Sequence, residues 1–264
     1  MTSLSINRRW LPYQSRQLAL PLLGLLLGLI SWWLLVQLLA QSNPVIAEFS
    51  PAAGFSQLIA GLASGSLLRH ASASLVRVAV GLVIAVVVAV PLGLLLGLKH
   101  RLELTTSAVF QFIRMISPLS WMPIAVMVFG VGDGPVYFLL AVSAIWPILL
   151  TITTAVRTVN PLYIKVARSF AAEPLEIVTR VVLPAIRPSL LASIRVAVGL
   201  IWVVLVPAEM LGVSSGLGYL ILDCRDRLAY GELTSVLLLI GLIGWGLDSA
   251  LRALGQDGVS SAAY

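Results

Sequence analysis

The sequence predicts an all-α, polytopic membrane protein with about six transmembrane helices. Three observations carry this. Apolar residues fill 59% of the 264 positions and charged residues only 11%, against about 45–50% and about 25% in ordinary soluble domains. Mean hydropathy is +1.01. The apolar residues also fall into runs, with room for about six spans of roughly 20 residues each. Together these exclude a disordered chain, a collagen, a disulfide scaffold and a soluble enzyme. The single cysteine, Cys224, forbids an intrachain disulfide. His70 and His100 are expected near membrane interfaces, and no metal site is expected.

Between Arg16 and Glu48 there is no charge, and residues 18–39 are nearly all apolar. Arg8, Arg9 and Arg16 would suit the basic end of a signal peptide. The apolar core exceeds the roughly 7–15 residues of such a peptide, so a retained first span is expected. Gly24 and Gly28 give it a small-residue face for another helix. Residues 41–66 contain Pro44, Pro51, Gly54, Gly61 and Gly65, which predict a breaker-rich connector with a short surface helix. The second run, 78–98, lies between Arg77 and Lys99. Pro91 should kink it, and Gly93 and Gly97 should admit a close neighbour. The third run, 115–132, follows Arg114 and is broken by Pro118 and Pro123, with a tight turn at 130–135. The fourth, 134–156, carries Trp146-Pro147. The fifth extends from about Ser189 to about Leu211, with Arg195 and Glu209 inside it. Residues 212–232 read as a polar loop holding Cys224 as a free thiol. The sixth run is 233–251, and Asp248 should pair with Arg252 one turn on.

The expected organisation is therefore a tail, first helix and extracytoplasmic linker at 1–66, a core membrane domain at 67–254, and a short tail at 255–264. Six spans put both termini on one side. The N-terminal arginines, the 99–101 turn, the 157–187 segment and Arg252 then share that side. Only Arg69, Arg77, Arg225 and Arg227 lie near the other. The positive-inside rule places both termini and the 157–187 segment in the cytoplasm. Net charge of +6 thus reads as topogenic, and no nucleic-acid partner is expected. No internal repeat is visible.

The most informative segment is 160–188. Asn160-Pro161 fits an N-cap followed by proline at the first helical position. The helix should extend to about Ala172, with Leu162, Val166 and Phe170 on one face. Glu173-Pro174 restarts the chain and Glu176 complements a new helix N-terminus. Leu183-Pro184 should break that helix again. The residues alone leave two readings open: a docking surface for another polypeptide, or a basic loop lying on anionic lipid.

The run KVARSFAAEPLEIVTRVVLP resembles the "EAA" loop of ATP-binding-cassette importer permeases, whose pattern is E-A-A, three residues, G, nine residues, I, one residue, L-P. Lys165, Val166 and Ala167 stand at E-A-A, Ala171 at the Gly, Val181 at the Ile, and Leu183-Pro184 at the closing pair. Every spacing matches, while Lys replaces Glu and Ala replaces Gly. The segments SPLSWMPIAVMVFGVGD and AIWPILLTITTAV precede the loop in the family's order, and AEMLGVSSGLGYLI is similar to the nitrate/sulfonate/taurine/bicarbonate permeases. The resemblance covers about residues 67–254.

It implies a type I, MetI-like fold in a bacterial inner membrane, and a homodimer enclosing one pathway. Two cytoplasmic ATPase subunits would dock on the loops of the two copies (Lys165, Val166, Ala167, Arg168, Ser169, Phe170, Ala171, Leu183, Pro184). An extracytoplasmic binding protein would deliver a small oxyanion or sulfonate. The chain itself is expected to be no enzyme and to hold no cofactor. ATP and Mg would belong to the partners, since no G-x-x-x-x-G-K-[ST] phosphate loop occurs here.

Several residues keep two readings at this stage. Arg114 and Arg195 either snorkel to headgroups or line an anion-attracting vestibule. Arg77 and Glu209, opposite charges at similar depth, either pair or let Glu209 shape a gate. Trp121, with Ser117 and Ser120, either packs in core or belt or offers donors to a passing oxyanion. Ser214-Ser215-Gly216 is either an anion nest or a turn. A self-sufficient secondary transporter or channel, or a membrane enzyme, remain competing classes. The first would need an internal repeat and the second a cluster of catalytic side chains.

Overall fold

The computed structural model describes residues 11–260, which form helices and turns with no strand among them. Arg8, Arg9 and the chain end at 261–264 lie outside the described residues. Five helical stretches are long and apolar enough to cross a membrane, and a bent pair makes up to a sixth. Helix α1 (Leu11–Ala40) leads through a 3₁₀ turn (Pro44–Phe49) to α2 (Pro51–Ala63), the short helix expected in the connector. Ser50 caps α2 by accepting the Ala53 N–H. Along α1 only Val36 is buried among the described side chains. The Gly24/Gly28 face meets no atom of the chain within 4 Å.

Helix α3 (Ser66–Leu98) packs along α6 (Asp133–Thr158), and α9 (Leu183–Gly212) completes the core against α6. Lipid tails are as apolar as leucine, so close van der Waals contact rather than apolar burial holds such helices together. The predicted small residues supply that contact. A Cβ at Gly93 or Gly97 would stand 2.9 Å from Ile152 Cβ or 2.6 Å from Val156 Cβ. Gly81, one such position higher on α3, meets Leu140 in the same way. Pro91, Pro147, Pro188 and Pro207 all sit inside continuous helices. Helix α11 (Tyr230–Ser260) packs on α2 and α9.

Three expectations need correction. The basic turn at 99–101 does not lead straight into the third run: it opens a helix, α4 (His100–Arg114), which meets the stretch from Pro118 through α5 (Met122–Phe129) at 87°, so the break expected at Pro118 is a bend between two helices. The cause is Ser117, which Pro118 forces out of helical geometry to ψ 132°. Second, Leu183-Pro184 does not end a separate short helix. After α7 (Pro161–Ser169), helix α8 (Pro174–Ile177) passes through a π turn (Val178–Val182) straight into α9, giving one apolar rod, Pro174–Gly212. The Leu183 N–H bonds the Val178 carbonyl. The wider turn makes room for a proline ring that would otherwise meet the carbonyl four residues back. Third, the loop at 212–232 contains a helix, α10 (Leu217–Asp226), and Cys224 is a buried residue of that helix.

Candidate functional site

Two regions at opposite ends of the α6–α9 pair carry the unusual chemistry. The first is α7. The Asn160 side chain accepts the Leu162 N–H at 2.9 Å, the expected N-cap. The helix ends in a Schellman motif: Ala172 N–H bonds the Ala167 carbonyl at 3.1 Å and Ala171 N–H the Arg168 carbonyl at 3.0 Å. That motif demands a left-handed residue, and Ala171 takes φ 57°. The glycine of the "EAA" pattern thus has a physical reason, and Ala171 fills the position at some strain. Ile164 and Ala167 pack toward the core. Leu162, Tyr163, Val166 and Phe170 face outward and are left uncovered by the described residues, Phe170 being 82% exposed. Lys165, Arg168 and Ser169 are exposed beside them. Leu183 is half-buried and Pro184 exposed, and both sit in the rod that follows. Nearby, Arg157 pairs with Glu103 of α4 and contacts His100.

The second region is a buried polar network. Arg77 on α3 is 4% exposed, and Ser74 and Glu209 are 0% exposed. Burying such charges is expensive unless every polar atom finds a partner, and here each does. Arg77 Nη1 donates to Glu209 Oε1 at 2.7 Å and to the Ser215 carbonyl at 2.7 Å. Its Nη2 donates to Ser215 Oγ and its Nε to Asp133 Oδ1, both at 2.8 Å. Glu209 also accepts from Ser74 Oγ at 2.8 Å and, on Oε2, from the Gly218 N–H at 2.8 Å. Ser74 Oγ in turn accepts the Leu217 N–H at 2.9 Å, and His70 Nδ1 accepts the Gly216 N–H at 3.1 Å.

Of the two readings of Ser214-Ser215-Gly216 the structure shows the turn: the Gly216 N–H goes to His70 and the Leu217 N–H to Ser74, and a single amide beyond the run, Gly218 N–H, meets an anion, the chain's own Glu209. Gly216, at φ 109°, and Gly218 are required there. A Cβ on Gly218 would run into the Val206 carbonyl oxygen, and one on Gly216 into Glu209 Oε1. Asp133 is half exposed, at 50%. It borders a cleft of about 690 Å³ lined also by Ser214, Ser215 and Tyr219. On the neighbouring helix turn Cys224 lies 3.8 Å from Glu232 Oε2, and burial, then the Glu232 charge, push its thiol up to about 11.

The remaining sequence candidates are dispersed. Arg195 pairs with Asp248 at 2.8 Å, and Asp248 also holds Arg252 at 2.8 Å, as expected of that i,i+4 pair. Arg114, Ser117 and Ser120 are at least partly exposed around the α4–α5 bend. Trp121 has a buried indole N–H with no acceptor. Sequence reasoning paired Arg77 with Glu209 but missed Asp133 and Ser74, which the packing of α3 on α6 and α9 brings to the pair, and His70 and the α10 amides, which the fold-back of 213–218 brings near. Among the described residues no three His, Cys, Asp or Glu side chains converge as metal ligands.

Residues 89–255 match the family described as "Binding-protein-dependent transport system inner membrane component". The chain belongs to that family. The permease is similar to CmpB, a bicarbonate transport system permease protein of Synechococcus elongatus, with 35% identity over 178 residues, 67% of this chain and 64% of CmpB. It is similar to TauC, a taurine transport system permease protein of Escherichia coli, with 27% identity over 253 residues, 93% of this chain and 90% of TauC. Its fold matches a chain of the MetNI methionine ABC transporter, solved in inward-facing conformations, at a TM-score of 0.60 and 21% identity. That match covers 70% of this chain and 92% of the other. The permease is thus an all-helical, MetI-like, multi-pass membrane protein. The family match contains α7, Glu209 and α10, and leaves His70, Ser74 and Arg77 outside it.

Proposed function

We propose that this permease forms, as a homodimer, the pathway of an ATP-driven importer for a small oxyanion or sulfonate, the class to which bicarbonate, nitrate and taurine belong. Two cytoplasmic ATPase subunits grip the α7 segments, and an extracytoplasmic binding protein delivers the anion. ATP and Mg belong to the ATPases; this chain holds no cofactor and performs no catalysis. Residues 67–254 are the working core, with α1 and the linker at 1–66 as an addition. Both termini and α7 are cytoplasmic in a bacterial inner membrane, a reading supported by the basic residues at 99–101, 157–187 and 252.

One observation carries the coupling. Apolar side chains left uncovered by the described residues, at Leu162, Tyr163, Val166 and Phe170, stand among basic residues, on a short helix tied through 170–174 to a rod reaching Gly212. A long rod moved at one end transmits a rigid displacement, a two-state change that nucleotide binding can bias. The residues at stake are Lys165, Val166, Ala167, Arg168, Ser169, Phe170 and Ala171, with Leu183 and Pro184 at the π turn.

For the pathway, the bend at 115–120 gives the support. Irregular backbone at membrane depth is tolerated only where protein or water covers it. Ser117 and Arg114 are exposed there, so donors are available to an anion passing between two copies; the buried Trp121 indole N–H, which has no acceptor among the described residues, joins them only when the bend opens. Arg195 and Glu209 join such a pathway only when their contacts to Asp248 and to α10 open.

Reconstitution with the ATPase and binding-protein partners in proteoliposomes tests this reading. ATP-dependent accumulation of labelled nitrate or taurine, absent without the ATPase subunits, is expected. Uptake that proceeds without them makes the chain a self-sufficient transporter and overturns the proposal.

A further inference from the structure

The polar network joins four elements, α3, α6, α9 and α10, and one of these also belongs to the opposite end. The rod from Pro174 to Gly212 is 39 residues long, about 58 Å at 1.5 Å per residue. It starts next to α7 and carries Glu209 in its last turn. A displacement at Pro174 therefore arrives at the Arg77–Glu209 pair through one continuous helix.

The contacts at that end add charge to the close packing found along the rest of the bundle, where Ala208 and Gly212 also sit against α6 and Met122. Helices α3 and α6 meet through Gly81, Gly93 and Gly97, so closely that a single Cβ would clash. They form a fixed unit. The last turn of α9 and the start of α10 are tied to that unit by charge and hydrogen bonds: Glu209 to Arg77 and Ser74, Ser215 to Arg77, Leu217 to Ser74, Gly216 to His70. Asp133 and Ser215, which hold the other side of the guanidinium, open onto the 690 Å³ cleft. Water enters as soon as these contacts part. Separating the pair is then a rehydration of two charges, not their transfer bare into lipid. A buried ion pair is often no more stabilising than apolar side chains of the same shape, while breaking it by removing one partner is strongly destabilising.

We propose that Arg77 and Glu209, with Ser74 and the first amides of α10, form a latch of the transport cycle, closed in the arrangement described here and opened when α9 is displaced from the α7 end. They are positioning residues, and the inference rests on the importer reading above. A merely structural network would stay closed in every state of the cycle, so the decisive readout is accessibility against nucleotide state.

Ser74 is the reporter position, because it is fully buried and a thiol is close to its hydroxyl in size. Ser74→Cys in a Cys224→Ser background, assembled with the ATPase and binding-protein partners in nanodiscs, is labelled with a maleimide without nucleotide and after vanadate trapping. Labelling of the Ser74→Cys variant is expected to accelerate about tenfold or more on trapping, while Ser143→Cys, buried in α6 against the fixed unit, stays protected in both states. Equal rates for Ser74→Cys in a complex that transports overturn the latch alone. Absence of ATP-dependent uptake by the unsubstituted complex overturns the importer reading itself. Glu209→Gln, which keeps the shape and one acceptor oxygen but loses the charge and the second acceptor, supplies an independent measure. ATP hydrolysis without binding protein should rise about threefold and uptake per ATP should fall, and unchanged coupling counts against the latch.

Discussion

At one end of the bundle α7 leaves Leu162, Tyr163, Val166 and Phe170 uncovered by the described residues. At the other, every nitrogen of the Arg77 guanidinium and both oxygens of Glu209 are bonded. The contrast separates two ways of ending a membrane helix. An apolar ridge raised among basic residues is an unfinished interface, completed by a second polypeptide. A saturated ion pair is finished within the chain, and its worth lies in holding a particular arrangement. The continuous helix from Pro174 to Gly212 makes the two ends mechanically one.

The largest expected effect tests how closed the second end is. Glu209→Ala leaves Arg77 with Asp133 as counter-charge but strands the Ser74 hydroxyl and the Gly218 N–H, and should cost about 3 kcal/mol, read as a lowered denaturation midpoint in detergent. The double variant Arg77→Met with Glu209→Leu removes both charges and should recover part of that loss. A penalty below about 1 kcal/mol for Glu209→Ala would mean water already reaches the pair.

Next to this network the buried Cys224 gives a pH test. Its thiol is raised from 9.0 to about 11 by burial and by Glu232, so the folded chain holds this proton more tightly than the unfolded one. The stability it contributes is full below pH 9 and is lost as pH rises through about 11. The denaturation midpoint should fall across that window. Cys224→Ser should flatten the fall, and a maleimide at neutral pH should leave Cys224 of the folded chain unmodified.

The contrast also marks what the sequence makes legible. The long apolar runs, the Gly93/Gly97 approach, the Asn160 cap and the outward face of α7 follow from hydropathy, residue size and local spacing, and the structure has them. The Arg77–Glu209 pair is legible because two opposite charges at matched depth have few other partners. Asp133 and Ser74 are not, because helix packing across the bundle brings them to the pair; His70 and the α10 amides are not, because their roles arise from a fold-back of 213–218 that no local pattern encodes. Helix α10 itself is short and flanked by Gly216 and a run of charges, so composition reads it as loop. Pro184 reads as a breaker because local rules charge it with a missing N–H; a π turn one residue upstream absorbs the defect. The bend at Ser117-Pro118 shows the reverse: the prolines are visible in sequence, and the angle they impose is not.

Two substitutions at Ala171 sharpen the first end, with smaller effects on folding. Ala171→Glu places a charge beside the bare Phe170, where a docked ATPase would desolvate it. Membrane abundance and midpoint should stay within about 0.5 kcal/mol of the unsubstituted chain. ATP-dependent uptake should fall about tenfold or more, equivalent to about 1.4 kcal/mol of lost interface energy. Unchanged uptake would remove α7 from the coupling path.

Ala171→Gly acts in the opposite sense and least of all. At φ 57° a Cβ is strained and a glycine is not, so the Schellman cap should tighten by about 1 kcal/mol or less, part of the gain being offset by the freer unfolded chain. The readout is local: amide exchange at Ala171 and Ala172, whose N–H groups close the cap, should slow, while exchange in α3 and α6 stays the same. Slower exchange together with undiminished uptake would mean that the docked state keeps the left-handed cap. Slower exchange with impaired uptake would mean that α7 must loosen its last turn to be gripped, which would make the strain at Ala171 part of the coupling rather than a tolerated departure from glycine.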